Sequence, residues 1–293
     1  MENIKFSVAM SLYKNDKPEQ LREALESICT QSYPADEIFL VVDGPVGEDL
    51  DSIVREYSDK YGNFTLKRLE TNAGLGNALR IAVEECKNDL IVRMDSDDIS
   101  APGRFAKLVE EYTREPADVL GSWAIGFVGD LYTTDMISCS RRPLKHDDII
   151  KRLPHRSPMS HVTVMLRREA VIRSGNYKDL FYHEDYYLWA RMIQAGCTFR
   201  NIPEYLMYVR LGVDKAKRHG GKRYYKAGAF LRKYMLKNNL MSRFSYIKET
   251  IIRVVYQLVL PPRVRNYFAM KYNKVYLTRT EADEIINNNK ERG

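Results

Sequence analysis

Through its first hundred residues the chain repeats one unit: a short apolar run, a polar or glycine-bearing turn, then an amphipathic segment. Apolar runs fall at Phe6–Leu12, Glu37–Val42, Phe64–Leu69 and Leu90–Met94. Between them, Leu21, Ala24, Leu25 and Ile28 lie at helical spacing within 17–30, and Ile53, Val54 and Tyr57 within 50–61; a third helix is expected from Asn72 to Cys86. The Leu90–Met94 run is apolar on both faces, as a strand covered on both sides is. Four strand–helix units in succession predict an α/β fold with a parallel, right-handed, doubly wound sheet.

In such sheets ligands gather beyond the carboxyl ends of the strands. The fourth run ends in Asp95-Ser96-Asp97-Asp98, and the second in Asp43-Gly44-Pro45. Three carboxylates crowded at a strand end repel one another and resist burial unless they are solvated, hydrogen-bonded or neutralised by a cation. Their hard oxygens suit Mg or Mn and leave coordination sites for phosphates. The competing reading is a polar turn in which Asp98 or Ser100 caps a helix starting near Pro102. Asn72-Ala73-Gly74-Leu75-Gly76 lacks both the P-loop Lys-Ser/Thr and the dinucleotide spacing, so its glycines read as a tight turn into the third helix.

Alternation then stops. A helix over Pro102–Glu115 leads to a Val119–Val128 strand, with Tyr132–Ser138 as its hairpin partner around Gly129-Asp130, so the second half is α+β with a mixed sheet. Pro154–Pro158 reads as a loop, His161–Leu166 as a strand, and Arg168–Ser174 as a short helix closed by Gly175. His183-Glu184-Asp185-Tyr186-Tyr187-Leu188-Trp189 opens a further helix. One acidic residue in a first helical turn complements the dipole, worth about 0.3–1 kcal/mol. Two beside a histidine and several aromatics point to a site, where an apolar edge raises a carboxylate's pKa and fits it for general-base work.

From Arg210 onward the chain turns basic. Lys215, Lys217, Arg218, Lys222, Arg223 and Lys226 surround Gly220-Gly221, a pattern of solvated charges or of a loop that clamps a diphosphate. Helices are expected at Tyr224–Lys237 and Arg243–Leu258, with a basic, aromatic piece from Arg263. This tail reads equally as packing on the main domain or as a docking face for an anionic membrane. The net charge of +7 fits anionic partners. Cys29, Cys86, Cys139 and Cys197 lie far apart with no Cys-x-x-Cys, which reads as reduced core residues and not zinc ligands. The start shows no signal-peptide core, and no run approaches the roughly 18 apolar residues of a span. The expected location is cytoplasmic, peripheral at most on the inner face of the membrane.

Taken in order, Ser-Val-Ala-Met-Ser11-Leu-Tyr13, Val-Val-Asp43-Gly, Asn72-x-Gly74-Leu, Asp95-x-Asp97-Asp98 and Glu184-Asp185-Tyr-x-Leu-Trp189 resemble the family 2 glycosyltransferases, specifically the bacterial enzymes of capsule, exopolysaccharide and O-antigen synthesis. The resemblance covers about residues 4 to 210. It implies the GT-A fold: a Rossmann-like, mostly parallel sheet flanked by helices, with a nucleotide-sugar-binding half (1–100), a mixed-sheet acceptor half (101–210) and a basic helical extension (211–293). It also implies an inverting, metal-dependent transferase that moves one sugar from a nucleoside-diphosphate sugar to a hydroxyl of a saccharide acceptor, lipid-linked by expectation.

By position, the resemblance puts the donor base near Ser11 and Tyr13, with Asp43, Asn72 and Gly74 around the nucleoside. Asp95 and Asp97 would hold Mn or Mg on the diphosphate, with Asp98 in support. Asp185 would be the catalytic base beside Glu184, with His161, His183 and Trp189 about the acceptor. Relatives often place a nucleotide-binding arginine where this chain has Leu79; Arg80 stands one position later, roughly 100° around the helix. The Gln-x-x-Arg-Trp of processive synthases is absent. UDP is the first donor expected, with dTDP and GDP as alternatives, and no nucleic acid. The competing functions are a sugar nucleotidyltransferase, disfavoured by the glycine-free Leu12–Pro18 loop, and a non-catalytic polyanion or membrane-surface binder, which leaves both acidic clusters unexplained.

Overall fold

The computed structural model describes residues 4–212, 221–261, 264–265 and 275–292. The first half alternates as expected: β1 (Ser7–Leu12), α1 (Pro18–Cys29), β2 (Glu37–Val42), α2 (Glu48–Tyr61), β3 (Phe64–Arg68), α3 (Leu75–Glu85) and β4 (Leu90–Met94). These strands lie in the order β3-β2-β1-β4, all parallel. Their two faces feed two apolar cores. Leu21, Leu25 and Ile28 of α1 join Val8, Met10 and Leu40 on one side; Ala78, Leu79 and Val83 of α3 join Phe39, Val41 and Ile91 on the other.

The second half comprises β5 (Ile99–Ser100), α4 (Arg104–Arg114), β6 (Val119–Phe127), β7 (Ile137–Ser140), α5 (His146–Arg152), a 3₁₀ turn (His161–Thr163), β8 (Met165–Arg167), α6 (Arg168–Arg173), α7 (Glu184–Gln194) and β9 (Phe199–Arg210). β8 runs antiparallel between β4 and β6, so one sheet spans both halves. The long β9 pairs in parallel with β6 and antiparallel with β5. Then come α8 (Lys222–Lys237), α9 (Arg243–Val254) continued by a π turn (Val255–Val259), the edge strand β10 (Val275–Leu277) and α10 (Arg279–Arg292).

Three local expectations are corrected. The hairpin partner of β6 starts at Ile137 and not Tyr132, because Asp130 Oδ1 accepts from Tyr132 N (2.9 Å) and Thr133 Oγ1 (3.0 Å) and closes a turn there. His161–Thr163 is a 3₁₀ turn and not strand: both Thr163 N (3.0 Å) and its Oγ1 (2.8 Å) donate to Ser160 O. Neither Asp98 nor Ser100 caps α4, which begins at Arg104 behind Gly103. The expectations for Lys215, Lys217, Arg218, Gly220, Arg263 and 266–272 fall outside the described residues.

Candidate active site

β4 delivers Asp95, Asp97 and Asp98 to its carboxyl end, with ligand oxygens all within 4.8 Å of one another. Asp98 is 2 % exposed, and its Oδ1 accepts from Arg210 N at 2.8 Å. Arg210 also donates through Nε to Asp97 O (3.1 Å) and through Nη1 to Gly129 O (2.8 Å), tying the end of β9 to the cluster. Burial, then the charges of Asp95 and Asp16, push Asp97 up to about 6. Burial and the same like-charge crowding raise Asp98 well above the carboxylate range. Three hard-oxygen groups held this close, with Asp97 and Asp98 resisting ionisation, are what a divalent cation would relieve, so these residues fit a Mg or Mn site.

The sequence reading passed over the groups that organise this cluster. Arg93, on the same strand, is 1 % exposed, and its Nη2 donates to Asp95 Oδ1. Its Nε and Nη1 are buried with no hydrogen-bond partner among the described residues. Arg104, 0 % exposed, donates to Arg93 O (2.9 Å) and Val162 O (3.0 Å). Burial, with Arg93 nearby, brings Arg104 down to about 9. Asp16 forms a fourth carboxylate: its Oδ2 accepts from Tyr13 N (3.0 Å) and Ser96 Oγ (2.7 Å). The available signal for Arg93 was a charge inside the run Leu90-Ile-Val-Arg-Met, where both faces of the strand are covered.

The loop at the start of α3 is built on Asp43. Its Oδ1 accepts from Ala73 N (2.6 Å), and its Oδ2 from Gly74 N (2.9 Å) and Asn72 Nδ2 (2.9 Å). Asp43, Asn72 and Gly74 are therefore brought together, but Asp43 is 4 % exposed and much of its acceptor capacity serves its own chain. Gly44 makes this possible: its φ is +85°, and a Cβ there would lie 2.7 Å from Asn72 N. Tyr13 is 41 % exposed in the loop after β1, and Ser11 is half-buried at the end of that strand. Arg80 pairs with Glu84 Oε2 at 2.9 Å on the exposed side of α3, and this carboxylate is its ion-pair partner.

The second carboxylate pair is carried to the same place. Glu184 and Asp185 form the first turn of α7, and a Cβ on Gly76 would stand 3.6 Å from Glu184 Cβ, which places the pair against the start of α3. Burial and then the Asp185 charge raise Glu184 to about 7; Arg93 opposes and Asp95 adds to the shift, so the two acidic clusters sense one another. Burial likewise raises Asp185, offset by backbone N–H groups and the Arg142 charge. His161 Nε2 lies 2.9 Å from Tyr177 OH, and burial next to Arg93 keeps its imidazole neutral. Trp189 is fully buried, its ring 6.0 Å from His161. His183, also buried, packs at 4.5 Å from the ring of Tyr224 on α8. Trp189 and His183 thus act as platforms for the first turn of α7.

A cavity of about 900 Å³ lies elsewhere, between α1, α2 and the 130–132 turn, lined by Glu19, Arg22, Tyr57, Tyr132 and Arg210 among others. None of the carboxylates at the ends of β4 and α7 lines it.

The fold is that of the GT-A glycosyltransferases. It is similar to S. aureus TarS 1-349 in complex with UDP-GlcNAc, at a TM-score of 0.65 and 18 % identity over 92 % of this chain and 76 % of that one. The family model "Glycosyl transferase family 2" matches residues 7–175. The amylovoran biosynthesis glycosyltransferase AmsE of Erwinia amylovora is 36 % identical over 92 % of this chain and 99 % of its own length. The UDP-Gal:alpha-D-GlcNAc-diphosphoundecaprenol beta-1,3-galactosyltransferase of Escherichia coli is 32 % identical over 93 % of this chain and 98 % of its own. The chain belongs to glycosyltransferase family 2.

Proposed function

We propose that this chain transfers a single sugar from a nucleoside-diphosphate sugar, UDP-linked in the first instance, to a hydroxyl of a lipid-linked saccharide in bacterial surface-polysaccharide synthesis. The observation that carries this reading is the convergence of Asp95–Asp98 with Glu184–Asp185 about Arg93 and Tyr177. The names of the Escherichia coli and Erwinia relatives support the donor, the lipid-linked acceptor and the polymer class.

In this mechanism Tyr13 and the Asp43–Asn72–Gly74 loop receive the nucleoside, and Asp95 and Asp97 would hold Mn or Mg. A bound divalent cation supplies neutralisation of the leaving diphosphate. Asp185 takes the proton of the acceptor hydroxyl as that oxygen attacks the anomeric carbon from the face opposite the diphosphate. The C–O bond to phosphate breaks as the new one forms, so the configuration inverts. Glu184, raised towards neutrality, keeps a second full negative charge from building beside Asp185. Arg80 would reach a nucleotide only by releasing Glu84.

The C-terminal helices support a peripheral location on the inner membrane face. α9 is inverted: its buried positions include Glu249 and, in the following π turn, Gln257, while Phe244, Ile247, Ile251, Val255, Leu258 and Val259 are exposed. Arg243 and Lys248 are exposed beside this stripe, as are Lys233 and Lys237 on α8. An apolar stripe flanked by cations complements an anionic lipid surface. No helix among the described residues is long and apolar enough to cross a membrane.

The test is slow donor hydrolysis across UDP-, dTDP- and GDP-sugars with Mn or Mg against a chelator control. One donor hydrolysed only with metal supports the transferase reading. Failure of every donor to bind with metal present would sink it.

A further inference from the structure

Three arginines gather beside the first turn of α7, and only Arg142 senses Asp185. Arg142 follows β7, held by Trp123 Nε1 donating to its carbonyl (3.0 Å) and by Asn201 Nδ2 donating to the next one, Pro143 O (2.7 Å). Arg152 ends α5, and Arg156 lies in the loop that follows, its N donating to Arg152 O at 3.1 Å. The first turn of α7 is pinned to this corner because Tyr186 OH, next to Asp185, donates to Leu153 O. Among the described residues, no carboxylate forms an ion pair with Arg142, Arg152 or Arg156. Nearby Glu249 is already taken by His155 (2.9 Å) and Arg253 (3.6 Å). The Nε atoms of Arg142 and Arg152 are buried without a hydrogen-bond partner among the described residues.

The cost of this arrangement shows in the charges themselves. Burial, then Arg152, brings Arg142 down to about 10, with Asp185 as the opposing influence. Burial and Arg156 lower Arg152. Like charges gathered at a half-buried corner, with donors left over, are what remains when an anionic ligand is taken away. Guanidinium forks match phosphate oxygens, often two at a time. The donor's own diphosphate is assigned to the carboxylate cluster on β4, so these arginines are free for a second anion.

We propose that Arg142, Arg152 and Arg156 form an anion site beside the first turn of α7 that grips the phosphate or diphosphate on the anomeric carbon of the acceptor sugar. The site selects sugars that carry that anion and turns the ring so that a hydroxyl on its far side meets the base. This inference rests on the reading of Asp185 as base and of the acceptor as lipid-linked. α9 packs on this corner by the face opposite its exposed stripe, since its Arg253 donates to His155 O (2.9 Å), next to Arg156.

The probe is inorganic pyrophosphate, titrated at low salt with EDTA present so that the acidic cluster repels it. Arg152→Gln and Arg156→Gln are expected to weaken binding on the order of tenfold each, as loss of a charge-assisted hydrogen bond does. Arg156→Lys should retain part of it. Arg156 is exposed, so its variants keep the fold, and their melting temperatures check this. A second arm compares N-acetylglucosamine α-diphosphate bearing a short alkyl chain with the same sugar as an alkyl glycoside. The wild type should favour the diphosphate, and the double variant should lose the preference. Unchanged pyrophosphate binding in both Gln variants overturns the proposal. So does a parallel loss of Mn-dependent UDP affinity, which would move the arginines to the donor site. If the wild type binds no nucleoside diphosphate with metal, the transferase reading fails, and the pyrophosphate titration still decides the arginine site.

Discussion

Arg93 and Asp95 sit two residues apart on the end of β4, the guanidinium fully buried and the carboxylate half-exposed above it, joined through Nη2. The pair links the two acidic clusters, because the charge of Arg93 is felt by Asp97 and Asp98 on one side and by Glu184 on the other. Arg93→Met leaves the β4 carboxylates without it. The expected cost is about 1–3 kcal/mol, less than for a fully buried pair because Asp95 keeps access to water. Mn should recover part of the loss by substituting for the missing charge. Thermal unfolding with and without Mn checks this: the Mn-induced rise should be larger in the variant than in the wild type.

Asp97→Asn and Asp185→Asn separate the two ends of the site. The first is expected to abolish the gain in UDP affinity that Mn or Mg gives. The second should leave that gain intact and slow transfer by roughly 10²–10⁴-fold, the usual worth of a positioned general base. Calorimetry with UDP and single-turnover kinetics read the two effects. Equal loss of metal-dependent binding in both variants would contradict the division of roles.

Glu184 gives the protein a pH signature. Its carboxyl is raised from 4.5 to about 7, so folding favours the protonated form. Its contribution to stability is fully present below about pH 4.5 and is lost as pH rises through about 7. Glu184→Gln removes this dependence, and at pH 8 it should be more stable than the wild type by up to about 3 kcal/mol. At pH 4.5 the two should coincide. Chemical denaturation at both pH values, without metal, makes the comparison.

Gly44→Ala tests the Asp43 loop. The residue has φ of +85°, and the new methyl would fall 2.7 Å from Asn72 N. A destabilisation of about 1–3 kcal/mol is expected, together with weaker UDP binding as the loop is pushed off Asp43. Gly62→Ala is the control: its φ is +69° but nothing lies within 4 Å of the added Cβ, so it should cost stability alone.

Ile247→Glu with Ile251→Glu addresses the exposed stripe of α9. Flotation with vesicles containing anionic lipid at low salt should bring the wild type to the top and leave the double variant behind, with donor hydrolysis equal in the two. Flotation of both proteins alike would remove the membrane reading.

Much of this architecture was legible because its first half obeys local rules. β1, β2 and β4 are short apolar runs, and α1 to α3 carry stripes at helical spacing. β9 was hidden for a reason visible in its register. Ser122 pairs with Ile202 but Trp123 with Tyr205, so Pro203 and Glu204 bulge out, and a strand containing proline does not read as a central one. α10 was hidden because it is polar almost throughout and anchors chiefly through Ala282, Ile286 and Asn289. The carboxylates of the site announced themselves by crowding. Arg93, Asp16, Tyr177 and the arginines beside Asp185 did not, since each acquires meaning only from neighbours that lie far away in sequence.

The bond from Arg210 to Asp98 spans 112 residues, and β4 has β8 as its outer neighbour. While the chain is being synthesised, the acidic end of β4 leaves the ribosome long before either partner exists. For that interval the nascent protein presents a bare apolar strand edge beside an uncompensated cluster of charge, a form suited to chaperones and not to nucleotides. The acidic cluster therefore gains its partner late, when the end of β9 closes over it. A fragment ending near residue 100 would carry Asp43, Asp95, Asp97 and Asp98 without Arg210 or the first turn of α7 that meet them in the folded chain.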